Sequence, residues 1–157
     1  MAVYKDRRFS STADWVGGTR SLVRGPDLPD VDVATPVELG GRDTGVWSPE
    51  ELLLAACASC YELTVVGAAH AHDVPLYAAE ITATGHVTRR DDGRLGFIVV
   101  EIDARLCTDA DRAVDVGLIA ERAKDACIVM LALDVPVHIR LAVKPLESQG
   151  ATALARM

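Results

Sequence analysis

The chain has 157 residues, of which 50% are hydrophobic and 25% charged, and this composition is that of a globular domain rather than a disordered chain. Sixteen Lys and Arg stand against 23 Asp and Glu, which gives a net charge of −7 at pH 7. An acidic chain with only 4% aromatic residues lacks the basic face and the stacking surface of nucleic-acid-binding proteins. We therefore expect no nucleic-acid partner.

The apolar segments and the cysteines indicate where in the cell the protein is expected to work. The longest uncharged apolar run is Leu52 to Tyr61, ten residues, about half of what a bilayer demands. Residues 1–6 are polar and do not resemble a signal peptide. Four cysteines, Cys57, Cys60, Cys107 and Cys127, are too few and too scattered for a secreted disulfide scaffold. We expect a cytoplasmic protein without a membrane partner, whose thiols are either buried and inert or chemically used.

The first third of the chain predicts short strands followed by a loop. Residues 1–35 alternate between polar and apolar positions around glycine and proline turns, which indicates two or three strands, the last at Val31 to Val33. Residues 36–47 form a glycine-rich loop.

A strong helix start follows this loop. Ser48 is an N-cap candidate, Pro49 suits the first helical position, and Glu51 stands at the capping-box spacing from Ser48. The helix is expected to reach Ala71 and to be central and buried, because it is apolar nearly all round.

The remaining pattern predicts a hairpin, a second helix and a last strand. Residues 78–89 and 97–106 alternate around a turn at 91–93, Asp109 or Asp111 starts a helix reaching about Leu133, and residues 136–143 form a strand. The order of elements predicts a single α+β domain over residues 1–157, with a core of about 10–144 and a frayed tail at 145–157.

The cysteines are the strongest candidates for chemistry. Cys60 and Cys127 lie near the middle of the two apolar helices, so packing those helices together would bring the two thiols face to face. A thiol pair can reduce an oxidant, because one thiolate attacks an O–O bond and the second thiol condenses with the sulfenic acid. The first thiolate then needs a nearby cation such as Arg, itself held by a carboxylate. Each cysteine alone is also compatible with simple core packing.

Other readings of the same residues are weaker or stay open. Cys57 and Cys60 have C-x-x-C spacing, but they lie about three turns inside the helix, so Cys57 is interpreted as packing. A zinc site from these cysteines and His70 and His72 is rejected, because one continuous helix cannot close round the metal. Glu50 is either a partner of the helix dipole or an anchor for an arginine.

The run from Ser48 to Cys60 closely resembles the helix signature of the OsmC/Ohr family, the osmotically inducible and organic-hydroperoxide-resistance proteins. The residues Glu38 to Gly41, the hairpin at Asp92-Gly93 and Ala126-Cys127-Ile128 fit the family in the same order. Ile128 departs from the proline that often follows the second cysteine. The run Trp47-Ser48-Pro49-Glu50 is closer to the broad OsmC-like branch.

The resemblance implies an OsmC-like α+β fold, with antiparallel sheets wrapped around two long central helices in an intertwined homodimer. It assigns Cys60 as the peroxidatic thiolate and Cys127 as the resolving thiol. Glu50 would orient an arginine, with Arg20 favoured slightly over Arg42. No metal or bound cofactor is implied, and the expected reductant is an external dithiol of the dihydrolipoamide kind.

The function expected from this resemblance is the reduction of organic hydroperoxides, with hydrogen peroxide reduced less well, in defence against oxidative stress. A cleft lined by Leu and Val would suit apolar hydroperoxides. Two alternatives stay open, namely a non-catalytic binder of apolar small molecules and a thiol redox sensor on the same fold.

Overall fold

The computed structural model describes residues 5–146 of the chain. These residues form two compact units, one up to Leu53 and one from Leu54 onward. The first long helix starts in the first unit and continues in the second. The expected frayed tail lies outside the described residues from position 147, and the single-domain assignment stays a prediction.

The first unit contains a three-stranded antiparallel sheet, as the turn-rich start of the sequence predicted. Its strands are β1 (Thr12–Gly17), β2 (Arg20–Arg24) and β3 (Val31–Ala34), in the order β1-β2-β3. Gly17 and Gly18 both have positive φ, which lets the chain reverse between β1 and β2 within two residues.

The glycine-rich loop carries the chain from β3 to the helix start. It contains one short 3-10 helix, Val37–Leu39. A Cβ at Gly41 would lie 1.7 Å from the backbone oxygen of Thr35, so only glycine fits here. The amide of Ala34 donates to the carbonyl of Trp47 at 2.9 Å, which fixes the residue just before the helix cap.

The first helix, α1 (Pro49–Ala71), has the predicted bounds and the predicted cap. The Ser48 amide donates to Glu51 Oε2 at 2.8 Å, and the Glu51 amide donates to Ser48 Oγ at 3.1 Å. This reciprocal pair is the capping box, which satisfies two amides at the helix N-terminus. Pro49 at the first helical position costs no hydrogen bond.

The expectation that α1 is buried on all sides is not met within one chain. One stripe at four-residue spacing is fully packed: Cys57, Tyr61, Val65 and Ala69. On other faces Leu63 is 68% exposed and Val66 40% exposed. By its length and apolar composition alone, α1 could cross a membrane. Core helices of soluble proteins also meet this criterion, so composition alone does not separate the two.

The second unit is built on a mixed three-stranded sheet in the order β4-β5-β6. Its strands are β4 (Ala78–Arg89), β5 (Leu95–Thr108) and β6 (Val137–Pro145). β4 and β5 form the predicted hairpin, whereas β6 runs parallel to β5. The predicted α+β class is confirmed, but the expectation of wholly antiparallel sheets is wrong for β6.

The second helix, α2 (Ala113–Ala123), is much shorter than expected. Asp109, one of the two predicted caps, stands at the N-cap position of a 3-10 turn, Ala110–Arg112, that leads into α2, but its side chain makes no capping hydrogen bond. The alternative cap, Asp111, lies inside this turn. After Ala123 the backbone forms turns in which an amide donates to the carbonyl three residues earlier. The Ala126 amide, for example, donates to the Ala123 carbonyl at 3.1 Å. The chain must leave the helix early to return to β6 beside β5, and Cys127 therefore lies in this turn.

The core of the second unit lies between its sheet and its helices. Alternate residues of β5 are fully packed, in agreement with the two-residue period of a half-buried strand: Val100, Ile102, Ala104 and Leu106. They share one cluster with the buried stripe of α1 and with Val116 and Ala120 of α2. This cluster also contains Cys57 and Cys127, so these two thiols lie in the packed core of the unit.

Candidate active site

Cys60 is partly exposed on the wall of an open groove of about 520 Å³. One side of the groove is the face of α1 beside Cys60, and the other is the turn after α2. The lining is mostly apolar: Ala56, Ser59, Cys60, Leu63, Thr64, Ala126, Ile128 and Val129. A small apolar molecule can therefore reach the Cys60 thiol from solvent.

Cys127 lies behind Cys60 and is fully buried. Burial raises the pKa of the Cys127 thiol, and interaction with the adjacent Cys60 side chain raises it further, whereas the backbone amide of Met130 lowers it. Both thiols are free. The structure thus brings together the two cysteines that the sequence singled out, although Cys127 sits in a turn and not in a helix.

Cys57 lies on α1 three residues before Cys60 and is the third cysteine near this site. It is fully buried in the core cluster, as the packing interpretation requires. Burial raises the pKa of the Cys57 thiol, and the charge of Cys60 raises it further. A buried thiol of raised pKa is a poor nucleophile at neutral pH, so among these three cysteines Cys60 has the best access to a substrate.

Tyr61 is a feature of this site that the sequence interpretation missed. Its hydroxyl donates to the carbonyl of Ala120 at 2.8 Å, and its side chain is fully buried. Burial raises the pKa of Tyr61 to about 12, with smaller contributions from Cys127 and Glu121. The sequence did contain a signal for this contact, because Tyr61 lies on the apolar stripe of α1 and a buried tyrosine hydroxyl needs a hydrogen-bond partner.

Glu50 lies in the first unit, and its role differs from that of its neighbour Glu51. Glu51 is the residue that closes the capping box with Ser48. The Oε2 atom of Glu50 is buried and has no hydrogen-bond partner among residues 5–146. An unpaired buried carboxylate oxygen is costly, and this favours the interpretation of Glu50 as an anchor for a cation.

The two candidate arginines also lie in the first unit and differ in their surroundings. Arg42 is exposed in the glycine-rich loop. Arg20 is half-buried, and its Nη2 lies 3.1 Å from Oδ1 of Asp32. Its Nε is buried without a partner in the described part of the chain. A third arginine of the same sheet, Arg24, is paired with Asp14 at 2.6 Å.

Metal binding has no support within residues 5–146, where no three His, Cys, Asp or Glu side chains are grouped closely enough to hold an ion.

The fourth cysteine, Cys107, lies outside the lining of the Cys60 groove. It is in β5, where it pairs with Ala78 of β4 on one side and Lys144 of β6 on the other. The arrangement that the structure offers for chemistry is therefore one accessible thiol backed by one buried thiol. The individual roles of Cys60, Cys127, Glu50, Arg20 and Arg42 stay predictions.

Solved structures with the same fold support this architecture. An OsmC-like protein of unknown function from Vibrio cholerae has a TM-score of 0.80 at 12% identity, covering 87% of this chain and 100% of its own. An organic hydroperoxide resistance protein from Elizabethkingia anophelis has a TM-score of 0.72 at 21% identity, covering 91% and 99%. An organic hydroperoxide resistance protein from Legionella pneumophila has a TM-score of 0.67 at 23% identity, covering 92% and 99%.

These identities are low, so the structural matches show the fold alone. No curated protein matches the sequence of this chain. The family model described as OsmC-like protein matches residues 41–142, about two thirds of the chain. The match spans the helix signature, β4, β5, most of β6 and both candidate cysteines. The chain therefore belongs to the OsmC-like protein family.

Proposed function

We propose that the chain is a thiol-dependent peroxidase that reduces organic hydroperoxides, with Cys60 as the attacking thiol and Cys127 as the resolving thiol. The observation that carries this proposal is the difference in access between two adjacent thiols. Cys60 opens onto an apolar groove, whereas Cys127 is fully buried behind it. Family membership and the names of two matching structures agree with this chemistry.

The first step is the attack of the Cys60 thiolate on the outer oxygen of the hydroperoxide. The O–O bond breaks, the alcohol leaves after it takes up a proton, and Cys60 becomes a sulfenic acid. The thiol of Cys127 then condenses with this acid, releases water and forms the Cys60–Cys127 disulfide. An external dithiol returns both cysteines to thiols and is itself oxidised. The hydroperoxide is thus reduced by two electrons that the dithiol supplies.

An arginine is needed beside Cys60, because a guanidinium stabilises both the thiolate and the departing alkoxide. Arg20 is the better candidate, since its Nε is buried and unpaired among residues 5–146, whereas Arg42 is exposed. Glu50 is the proposed second carboxylate for this arginine, because its Oε2 is unpaired in the same described range. That these two residues act on Cys60 is part of the proposal, as the resemblance suggests.

We also propose that a second copy of the chain covers the open apolar face beside Cys60. Two large side chains that line the groove are mostly exposed, Leu63 at 68% and Ile128 at 69%. Exposed apolar side chains around a groove mark an interaction site on a protein surface. The homodimer that the family resemblance implies would bury this surface.

We further propose that the protein works in the cytoplasm. All four cysteines are free thiols, the state that a reducing compartment maintains, and a dithiol reductant is available there.

The proposal is tested by steady-state consumption of cumene hydroperoxide with dihydrolipoamide as the reductant. Cys60→Ser should abolish turnover. Cys127→Ser should consume about one equivalent and then stop as an overoxidised or mixed-disulfide form. Cys107→Ser is the matched control and should behave like the wild type, since Cys107 does not line the groove. A Cys60→Ser protein that keeps turnover would refute the assignment. Tight binding of an apolar molecule without turnover would instead favour a binding protein.

A further inference from the structure

Thr64 is a polar neighbour of Cys60 on α1. It lies four residues after Cys60 and lines the same groove. Side chains four residues apart lie on one face of a helix, with their Cβ atoms about 5–6 Å apart, and helical side chains lean toward the N-terminus. The side chain of Thr64 is therefore directed toward the helix turn that carries the Cys60 thiol.

The hydroxyl of Thr64 is fixed by one hydrogen bond. Its Oγ1 donates to the backbone carbonyl of Cys60 at 2.7 Å. A threonine hydroxyl has one hydrogen and two acceptor lone pairs, so this bond uses its only donor. What Thr64 offers to a molecule in the groove is therefore a hydrogen-bond acceptor, held beside Cys60 in a lining that is mostly apolar.

The chemistry of a hydroperoxide matches such an acceptor. Its one hydrogen-bond donor is the O–H group of the outer oxygen, whereas the inner oxygen carries the alkyl group and no hydrogen. An acceptor next to Cys60 therefore distinguishes the two oxygens and binds the one that the thiolate must attack. The alkyl group is left to the apolar side chains of the groove, among them Leu63 and Ile128.

We propose that Thr64 orients the hydroperoxide, by accepting a hydrogen bond from the outer oxygen while Cys60 attacks that oxygen. This inference rests on the proposed peroxidase function. As the sulfur–oxygen bond forms, the O–O bond breaks and its electron pair leaves with the inner oxygen, which takes up a proton from water and becomes the alcohol. The outer oxygen keeps its hydrogen in the sulfenic acid, so the hydrogen bond to Thr64 persists through the step. A reactant held in this way loses less freedom on reaching the transition state.

Ser59 provides a matched control within the same groove. Its Oγ donates to the carbonyl of Ala55 at 2.7 Å, four residues earlier, in the same pattern as Thr64. Ser59 also lines the groove, but it directly precedes Cys60, and adjacent residues of a helix do not face each other. If these hydroxyls act only on the helix backbone, their removal should have equal effects, whereas substrate orientation predicts an effect at Thr64 alone.

The test compares Thr64→Val, Thr64→Ser and Ser59→Ala with the wild type in two assays on the reduced protein. The first is the rate at which cumene hydroperoxide oxidises Cys60 in a single turnover. The second is the rate at which iodoacetamide alkylates Cys60 at pH 7. Both are followed by peptide mass, and steady-state turnover of each protein is measured in parallel.

Thr64→Val keeps the shape of the side chain and removes the hydroxyl. We expect it to slow oxidation by roughly two- to tenfold, the scale of one hydrogen bond. Alkylation should keep the wild-type rate, because iodoacetamide has no O–H group at its reacting carbon. Thr64→Ser should recover most of the oxidation rate, and Ser59→Ala should change neither rate.

The inference is overturned if Thr64→Val oxidises as fast as Ser59→Ala, or if Thr64→Ser is as slow as Thr64→Val. It is also overturned if Thr64→Val slows oxidation and alkylation alike, because the effect would then be on the thiol and not on the substrate. In each of these cases a wild type that turns over remains a peroxidase. The failure of the proposed function looks different, since wild-type Cys60 then stays reduced in the presence of hydroperoxide, and the role of Thr64 falls with it.

Discussion

Tyr61→Phe is expected to destabilise the fold next to the two proposed redox thiols. Ala120 is among the last four residues of α2, whose carbonyls have no partner within the helix. The Tyr61 hydroxyl supplies a partner to the Ala120 carbonyl at 2.8 Å in a fully buried position. Replacement by Phe leaves that carbonyl unsatisfied, at a cost of about 1–3 kcal/mol in the free energy of unfolding.

The assay is urea unfolding at pH 8 with the wild type, Tyr61→Phe and Tyr77→Phe. Tyr77 is the matched control, because its hydroxyl also makes a hydrogen bond, to Asp109, but its side chain is 50% exposed. In a parallel thermal unfolding experiment, each kcal/mol of lost unfolding free energy should lower Tm by about 2–4 °C for a chain of this length. A loss for Tyr61→Phe no greater than that for Tyr77→Phe would refute the reasoning that the buried hydroxyl ties α1 to the end of α2.

The same residue predicts a dependence on pH. The pKa of Tyr61 is raised to about 12 in the folded chain, from an ordinary value of 10.0. Because the folded pKa is the higher one, the stabilisation is fully present below pH 10 and is lost as the pH rises toward 12. The difference in free energy of unfolding between wild type and Tyr61→Phe should therefore shrink between pH 10 and pH 12. A constant difference over that range would contradict the assignment.

Three further predictions concern the cap, the sheet and the open face of α1. Ser48→Ala should cost about 1 kcal/mol of unfolding free energy in urea, while Ser48→Thr keeps the cap. Gly85→Ala should lower Tm, because a Cβ there would lie 2.3 Å from an aromatic carbon. Gly117→Ala, with nothing within 4 Å, should raise it through helix propensity. Leu63→Gln should weaken self-association in sedimentation velocity, whereas Leu95→Gln, which is 57% exposed at the hairpin, should not. Equal effects within any of these pairs would count against the corresponding account.

Local signals predicted the elements whose ends are set by their own residues. Ser48, Pro49 and Glu51 fixed the start of α1, and the hydrogen bonds of the capping box confirm it. The strand Ala78–Arg89 was predicted with the right bounds, because a period of two between a proline and an Asp-Gly turn has few other interpretations.

Tertiary constraints set what the sequence did not reveal. Residues 124–133 contain neither glycine nor proline, so nothing local indicates that α2 ends at Ala123. The parallel pairing of β6 with β5 requires the chain to cross back, and this decides the end of the helix. The ion pair of Arg20 with Asp32 depends on the register of β2 and β3, which short alternating segments specify weakly.

The central claim is that Cys60 and Cys127 form a redox pair, and one measurement tests it most directly. The reduced protein is treated with one equivalent of cumene hydroperoxide, and its intact mass and cysteine-containing peptides are determined by mass spectrometry. The account predicts the loss of two hydrogens and a disulfide that maps to Cys60–Cys127. An unchanged mass, with all four thiols still open to alkylation after denaturation, would contradict it and leave a protein of the same fold without this chemistry.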